Sequence, residues 1–211
     1  MTDTTAQQQE AEPSPEQVRR GRRTALLLFA IGFGPMIFAT FMYYSGWLHP
    51  ETRSNHGELI EPPVPVAELN LQDAEGQPIQ ARFGPDEVDA KWLMIVSADT
   101  CGEDCEQLLY LARQVNIALG KNANRMGRAA WIGSVPEELQ ARWQQEYSSM
   151  ERLSLAPDAD PAWPAGVDPA ESPRILVVDP FGNVMMHYGS GNTGKEMLED
   201  LKHLMKLSQI G

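Results

Sequence analysis

The sequence predicts an α/β domain, a mixed sheet flanked by helices, that follows one N-terminal transmembrane helix. Residues 24–44 carry no charge, and a helix of that length crosses a bilayer core. Residues 92–98 form an almost continuous apolar run, which is typical of a central strand covered on both faces. After that run, segments with helix and strand periodicity alternate to the C-terminus, as in mixed α/β proteins.

The flanks of the apolar run predict how the anchor is oriented. Arginines precede the run and aromatic residues follow it: Arg19, Arg20, Arg22 and Arg23, then Tyr43, Tyr44 and Trp47. By the positive-inside rule, residues 1–23 form a disordered cytoplasmic tail and residues 24–47 the anchor. The run is too long for a signal-peptide core, and no small-residue cleavage site follows it. The tail is polar and acidic, unlike a mitochondrial transit peptide, so we expect a bacterial inner membrane and a periplasmic C-terminal domain.

Charge is distributed unevenly along the chain. The 23 N-terminal residues contain four acidic and four basic residues, so the formal net charge of −12 falls on the remainder. An exported part this acidic argues against nucleic acid as a partner.

The exported part is predicted to begin with a linker and a hairpin. Residues 48–65 are rich in proline and polar residues and show no period, as expected of a linker. Residues 66–71 alternate apolar and polar, residues 73–76 have turn character, and residues 77–83 follow as a second strand. The domain itself is therefore assigned to residues 66–211.

The next elements are a strand over 92–98 and a helix after Cys105 that Gly120 ends. Further on, the patterns predict a strand over 129–133 and a helix from Pro136 to about Met150, then an irregular loop over 155–173. The remaining elements are a hairpin and a final helix: strands at 175–178 and 184–188, and a helix over 193–208.

Cys101 and Cys105, the two cysteines of the chain, lie directly after the first of these buried strands. If Cys105 lies in the first turn of a helix, the two residues share a face and are close enough for a disulfide or one shared metal ion. A cysteine pair at the first strand-to-helix junction of a mixed sheet points to a thioredoxin-like fold.

With these motifs in place, the chain resembles the Sco family of membrane-anchored, copper-handling assembly factors for cytochrome c oxidase. The resemblance rests on the anchor, on the turn Leu71-x-Asp73-x-x-Gly76, on the strand that ends at C-x-x-x-C, and on the late hairpin Val178-Asp179-Pro180-x-Gly182. It implies that Cys101 and Cys105 are thiolate copper ligands or a redox pair. It also implies a haem-copper oxidase subunit, or another assembly factor, as the partner.

One feature of that family is missing. Sco proteins complete their copper site with a histidine shortly before the third core strand, where this chain has residues 170–174, Ala-Glu-Ser-Pro-Arg. Pro173 instead resembles the cis-proline that faces the cysteines in thioredoxins and shapes a surface for a partner's thiol or backbone. His187 is the nearest substitute ligand, although on the following strand it is equally suited to be a half-buried structural residue.

The cysteines suit two kinds of chemistry. Two thiolates hold Cu(I), whereas stable Cu(II) binding calls for an added imidazole. In thiol-disulfide exchange, Cys101 is predicted to be the more exposed, attacking residue and Cys105 the resolving one. Glu103 and Asp104 disfavour a further negative charge, so a strongly oxidising pair is not expected. The alternatives are a general periplasmic thiol-disulfide oxidoreductase, a non-catalytic partner-binding factor and a purely structural disulfide.

Overall fold

The computed structural model describes residues 15–45 and 55–208, and the chain divides into two compact units, residues 1–53 and residues 54–211. In the first unit, helix α1 spans Pro15–Ser45. It contains an 18-residue window that is apolar enough to cross a membrane, which agrees with the predicted anchor. The helix includes residues 15–23, which were predicted to be disordered. Residues 1–14, Trp47 and residues 48–54 lie outside the described part of the chain.

The second unit is built on a sheet with the strand order β1-β7-β6-β3-β4-β5-β2. The strands are β1 (Glu58–Pro65), β2 (Leu71–Gln72), β3 (Trp92–Thr100), β4 (Met126–Ser134), β5 (Glu151–Leu155), β6 (Arg174–Val178) and β7 (Asn183–Tyr188). The helices are α2 (Glu103–Ala118), α3 (Glu137–Glu146) and α4 (Gly194–Leu207). The mixed sheet with flanking helices confirms the predicted fold class.

Strand β3 lies at the centre of the sheet. It pairs in parallel with β4 and antiparallel with β6, while β4 pairs in parallel with β5. Because β3 is covered on both faces, its side chains divide between two apolar clusters. Trp92, Met94 and Val96 belong to the cluster shared with the buried residues of α2, α3 and α4, which we call the helical-face cluster. Leu93 and Ile95 belong to the cluster on the opposite face, which we call the loop-face cluster.

Several predicted elements are confirmed with small shifts of their ends. The strand over 92–98, the helix after the cysteines, the late hairpin and the final helix all occur. Helix α4 begins with a capping box, in which Thr193 and Glu196 exchange side-chain to backbone hydrogen bonds. Trp163 also holds the irregular loop against the sheet, because its ring lies 5.0 Å from that of Trp131.

Other predictions were wrong. Glu58–Pro65, predicted as linker, is strand β1 at an edge of the sheet. An edge strand has a neighbour on one side only, so the N–H groups that its prolines lack are not needed for hydrogen bonds on the open side. The predicted first hairpin is replaced by 3-10 turns at Val66–Leu69 and Ile79–Arg82, with the short strand β2 between them. Helix α3 ends at Glu146, and the chain then forms β5 where no strand was predicted.

Candidate redox site

The cysteine pair occupies the junction between β3 and α2. Strand β3 ends at Thr100, Gly102 is the residue before the helix, and Cys105 lies in the first turn. Cys101 and Cys105 form a disulfide with their Cα atoms 5.0 Å apart. The spacing of four residues therefore brings the two sulfurs together, as the sequence indicated.

Both cysteines are buried, Cys101 with 2% and Cys105 with 1% of its surface exposed. The exposure of the two residues is almost equal, so burial does not distinguish the predicted attacking residue Cys101 from Cys105. The loop that carries Cys101 is drawn into the domain, because the Cys101 N–H donates to the carbonyl of Ser134 at the end of β4, at 3.3 Å. Both cysteines belong to the helical-face cluster, together with Leu139 and Trp143 of α3. A partner reaches the sulfurs only after part of this packing has opened.

A salt bridge joins α3 to the first turn of α2. Arg142 Nη2 donates to Glu106 Oε2 at 2.7 Å, and Arg142 Nη1 lies 3.2 Å from Glu146 Oε2. The hydrogen bond to Glu106, followed by the one to Glu146, raises the pKa of Arg142. The arginine also compensates part of the negative charge that Glu103, Asp104 and Glu106 place beside the cysteines. Sequence analysis did not identify Arg142, because residues 36 positions apart share no local pattern.

The loop that follows β5 crosses the same end of the sheet. The Asp99 N–H donates to the carbonyl of Pro169 at 2.9 Å, directly before the cysteine loop. Pro173 lies at the end of this crossing loop, next to β6. Among the described residues the cis peptide bond is Glu61–Pro62, so the bond before Pro173 is trans. The likeness of Pro173 to a cis-proline facing the cysteines was therefore wrong.

His187 lies on the other face of the sheet from the cysteines. Its register partner on β6 is Leu176, a member of the loop-face cluster, whereas its neighbours Met186 and Tyr188 belong to the helical-face cluster. The imidazole contacts the crossing loop, since a Cβ at Gly166 would lie 3.3 Å from Nε2. Glu58 Oε2 is 3.4 Å from Nε2. Burial lowers the pKa of His187, and Glu58 offsets part of that effect.

The structure thus does not bring His187 to the cysteine pair. Across residues 15–45 and 55–208, no three His, Cys, Asp or Glu side chains form a group that could hold a metal ion. A copper site completed by a histidine does not fit these residues. What they can supply, after reduction of the disulfide, is two thiolates.

Solved structures similar to this chain include Sco proteins, the family that the sequence resembles. Copper-bound ScoI of Bradyrhizobium japonicum is 18% identical, with a TM-score of 0.42, over 70% of this chain and 98% of that one. Yeast Sco1 is 14% identical, with a TM-score of 0.48, over 72% of this chain and 97% of that one. A thio-disulfide isomerase from Thermus thermophilus is 15% identical, with a TM-score of 0.41, over 74% of this chain and 97% of that one. No curated protein matches the sequence.

Two family descriptions match the two units of the chain. Residues 15–46 match the "transmembrane-like, N-terminal domain", which agrees with a single-pass anchor. Residues 92–208, more than half of the chain, match the "transmembrane-like, thioredoxin-like, C-terminal domain". With its apolar N-terminal helix and its disulfide at the first strand-to-helix junction of a mixed sheet, the chain belongs to this transmembrane-like, thioredoxin-like family.

Proposed function

We propose that this protein is a membrane-anchored thiol-disulfide factor that reduces a disulfide in a partner protein through Cys101 and Cys105. The observation that carries the proposal is the disulfide at the junction of β3 and α2. A purely structural role is the weaker explanation, because a disulfide that closes so short a loop stabilises by only about 2 kcal/mol, against about 3 kcal/mol for a 15-residue loop.

The proposed reaction starts from the reduced pair. The Cys101 thiolate attacks one sulfur of the partner disulfide, which forms a mixed disulfide and releases one partner thiolate. The Cys105 thiolate then attacks Cys101 Sγ, releases the second partner thiolate and leaves the Cys101–Cys105 disulfide. Two electrons pass to the partner, and a dithiol reductant returns them to the pair. Cys101 is assigned the attack because it precedes the helix, whose positive N-terminal end favours a thiolate.

The burial of both sulfurs supports a dedicated partner. A general oxidoreductase presents its reactive sulfur to many substrates, whereas here the loop after β5 and the Arg142–Glu106 salt bridge border the pair. A partner that displaces these contacts gains access, and other thiols are excluded. By its sequence resemblance to Sco proteins, we propose that the partner is a haem-copper oxidase subunit whose copper-binding cysteines need reduction, or another assembly factor.

The proposed location follows from the anchor. The arginines at positions 19, 20, 22 and 23 lie in the first turns of α1, before its uncharged part. The positive-inside rule places this end in the cytoplasm of a bacterial cell and the thioredoxin-like domain in the periplasm.

Copper transport is the second function that a specific observation favours. The Cα atoms of Cys101 and Cys105 are 5.0 Å apart, and reduction would give two neighbouring thiolates, a donor set that suits Cu(I). In this alternative the metal is the cargo, and the pair carries it to the partner.

Trapping of the mixed disulfide tests the proposed reaction. The reduced full chain, in detergent micelles, is mixed with an oxidised peptide that contains one disulfide between two cysteines. Cys105→Ser should accumulate a covalent adduct with the peptide, because the resolving thiol is gone, and Cys101→Ser should not. His187→Ala is the matched control and should behave as the unsubstituted chain. Absence of an adduct in every variant would contradict the proposal.

A Cu(I) titration in competition with a chromogenic chelator separates the two functions. One-to-one binding that is lost in both Cys101→Ser and Cys105→Ser, without any peptide adduct, would favour copper transport. An adduct without competitive Cu(I) binding would favour thiol exchange.

A further inference from the structure

Arg113 of α2 and Arg128 of β4 carry charges that no neighbouring side chain neutralises. In the part of the chain that the structure describes, no hydrogen bond or ion pair involves either guanidinium. Both residues are partly buried. A partly buried cation without a counter-charge is unfavourable in the free protein, so both side chains gain from an anion that reaches them.

The topology brings the two arginines together. Arg128 points to the helical face of the sheet, because its register partner Met94 belongs to the helical-face cluster. Helix α2 is fixed over the start of β4 by Asn116, whose Nδ2 donates to the carbonyl of Met126 at 2.9 Å. Arg113 lies one turn before Asn116 on the same side of α2, and α2 runs opposite to β4, so Arg113 faces the position of Arg128. Burial, followed by repulsion from Arg113, lowers the pKa of Arg128, which agrees with this placement.

Tyr147 adds a hydroxyl group at the end of α3. The residue is 6% exposed, and its ring lies 5.4 Å from that of Trp143. Within the described residues the hydroxyl has no hydrogen-bond partner, and the one unpaired side-chain polar atom that is sealed from solvent is Trp92 Nε1, so the hydroxyl of Tyr147 opens to the surface. Burial raises the pKa of Tyr147, whereas Arg113 lowers it, so the hydroxyl is a protonated donor within electrostatic range of Arg113. We call Arg113, Arg128 and Tyr147 the arginine site.

The charges around the arginine site leave one positive charge in excess. The two neighbouring carboxylates, Glu106 and Glu146, are already held by Arg142, at 2.7 and 3.2 Å. Three arginines therefore oppose two glutamates, and the uncompensated charge lies on Arg113 and Arg128. The site is reachable, because Arg128 also lines an open cavity.

We propose that the arginine site binds a phosphate group, whose oxygens accept from both guanidinium groups and from the hydroxyl of Tyr147. Donors that come from α2, β4 and the end of α3 suit a tetrahedral anion with several acceptor oxygens. A carboxylate is planar, and a single guanidinium binds both of its oxygens. The excess of one positive charge suits the monoanion of inorganic phosphate or the phosphodiester of a lipid headgroup, which share this chemistry. The cysteine pair takes no part in this binding.

Calorimetric titration of the full chain in uncharged dodecyl maltoside micelles, at constant ionic strength, tests the site. Inorganic phosphate should bind one-to-one and at least about tenfold more tightly than acetate, which offers fewer acceptor oxygens. Glycerophosphoglycerol, the soluble headgroup of phosphatidylglycerol, separates the two sources. It should bind more tightly than inorganic phosphate if the ligand is a lipid headgroup, and no more tightly if the ligand is free phosphate.

Variants identify the groups that bind the anion. Arg113→Gln and Arg128→Gln should each weaken phosphate binding at least about tenfold, because each removes a charge-assisted hydrogen bond. Tyr147→Phe keeps the ring beside Trp143 and should weaken binding about threefold, because it removes the hydroxyl alone. Lys202→Gln, which removes the same charge from an exposed position on α4, is the control and should change binding less than about twofold. Arg128→Lys keeps the charge but loses the paired N–H donors, so it should bind with intermediate strength, which also controls for misfolding.

Three results would overturn the proposal. They are the absence of phosphate binding in both calorimetry and 31P NMR line broadening, an equal affinity for acetate, and unchanged phosphate binding in Arg113→Gln or Arg128→Gln. Trapping of the peptide adduct by the cysteines is measured on the same samples, so failure at the arginine site is distinguishable from failure of the proposed redox function.

Discussion

The two ends of strand β3 differ in how their polar groups are satisfied. At the carboxyl end, Cys101 and Cys105 are joined covalently and buried, and the N–H groups of Asp99 and Cys101 donate to neighbouring segments. At the amino end, the guanidinium of Arg128 and the buried indole N–H of Trp92 have no hydrogen-bond or ion-pair partner among the described residues. The first end is closed by a covalent bond and by backbone hydrogen bonds, whereas the second carries two polar groups without a partner.

The largest expected effect comes from breaking the covalent closure. Cys101→Ser should abolish formation of the peptide adduct and lower the free energy of unfolding by about 2 kcal/mol relative to the oxidised chain, because the loop constraint is lost. Urea unfolding of the oxidised chain, the reduced chain and the variant measures the second effect. The reduced chain should match the variant in its free energy of unfolding. A reduced chain as stable as the oxidised chain would contradict this expectation.

The free energy of unfolding should depend on pH through His187, which lies at neither end of strand β3. Burial lowers its pKa below the usual 6.5, so the unfolded chain binds this proton more readily than the folded chain. The stability that the neutral imidazole contributes is present above pH 6.5 and is lost as the pH falls below it, by at most about 1.4 kcal/mol per pH unit.

His187→Gln tests that assignment in urea unfolding at pH 7.5 and pH 5.5. The variant should lose less stability between the two pH values than the unsubstituted chain. Two charged neighbours also act on the pKa of His187: Glu58 raises it and Arg174 lowers it. The control is His203→Gln, which removes an imidazole from an exposed position on α4. An unchanged pH dependence in His187→Gln would refute the assignment.

A smaller effect is expected from loosening the border of the cysteine site. Arg142→Gln removes the salt bridge to Glu106, which is partly exposed and therefore weak, so dithiothreitol should reduce the disulfide about two- to fivefold faster. Arg152→Gln is the matched control. Arg152 also contacts α3, through Gln140 and the Trp143 ring, and within the described part of the chain it makes no hydrogen bond or ion pair with the first turn of α2. Equal reduction rates in the two variants would show that α3 does not control access.

The smallest effect is expected at the amino end of β3. Trp92→Phe removes an unpaired buried donor as well as apolar surface, and the two changes oppose each other. The free energy of unfolding should therefore change by less than about 1 kcal/mol. Trp143→Phe, at a tryptophan that contacts both Tyr147 and Arg152, should cost more. A larger loss in Trp92→Phe than in Trp143→Phe would show that the indole N–H is satisfied in solution.

Local patterns were sufficient for much of the fold and misleading for part of it. The strand over 92–98 and the helix after the cysteines have clear periodicity, and both occur. Strand β1 has prolines within it, and β5 has five residues, so neither shows a strand pattern that can be recognised alone. Each is a strand because it pairs with a distant neighbour, β7 or β4.

The sequence by itself determined the apolar length of the anchor, the order of the central elements and the four-residue spacing that allows a disulfide, because these properties depend on neighbouring residues. Only the tertiary structure decided that both sulfurs are buried, that His187 lies on the other face of the sheet, and that Arg142 pairs with Glu106. The same holds for the unpaired groups of Arg128 and Trp92. Burial, facing and charge pairing depend on which distant segments meet, and local periodicity carries no information about that.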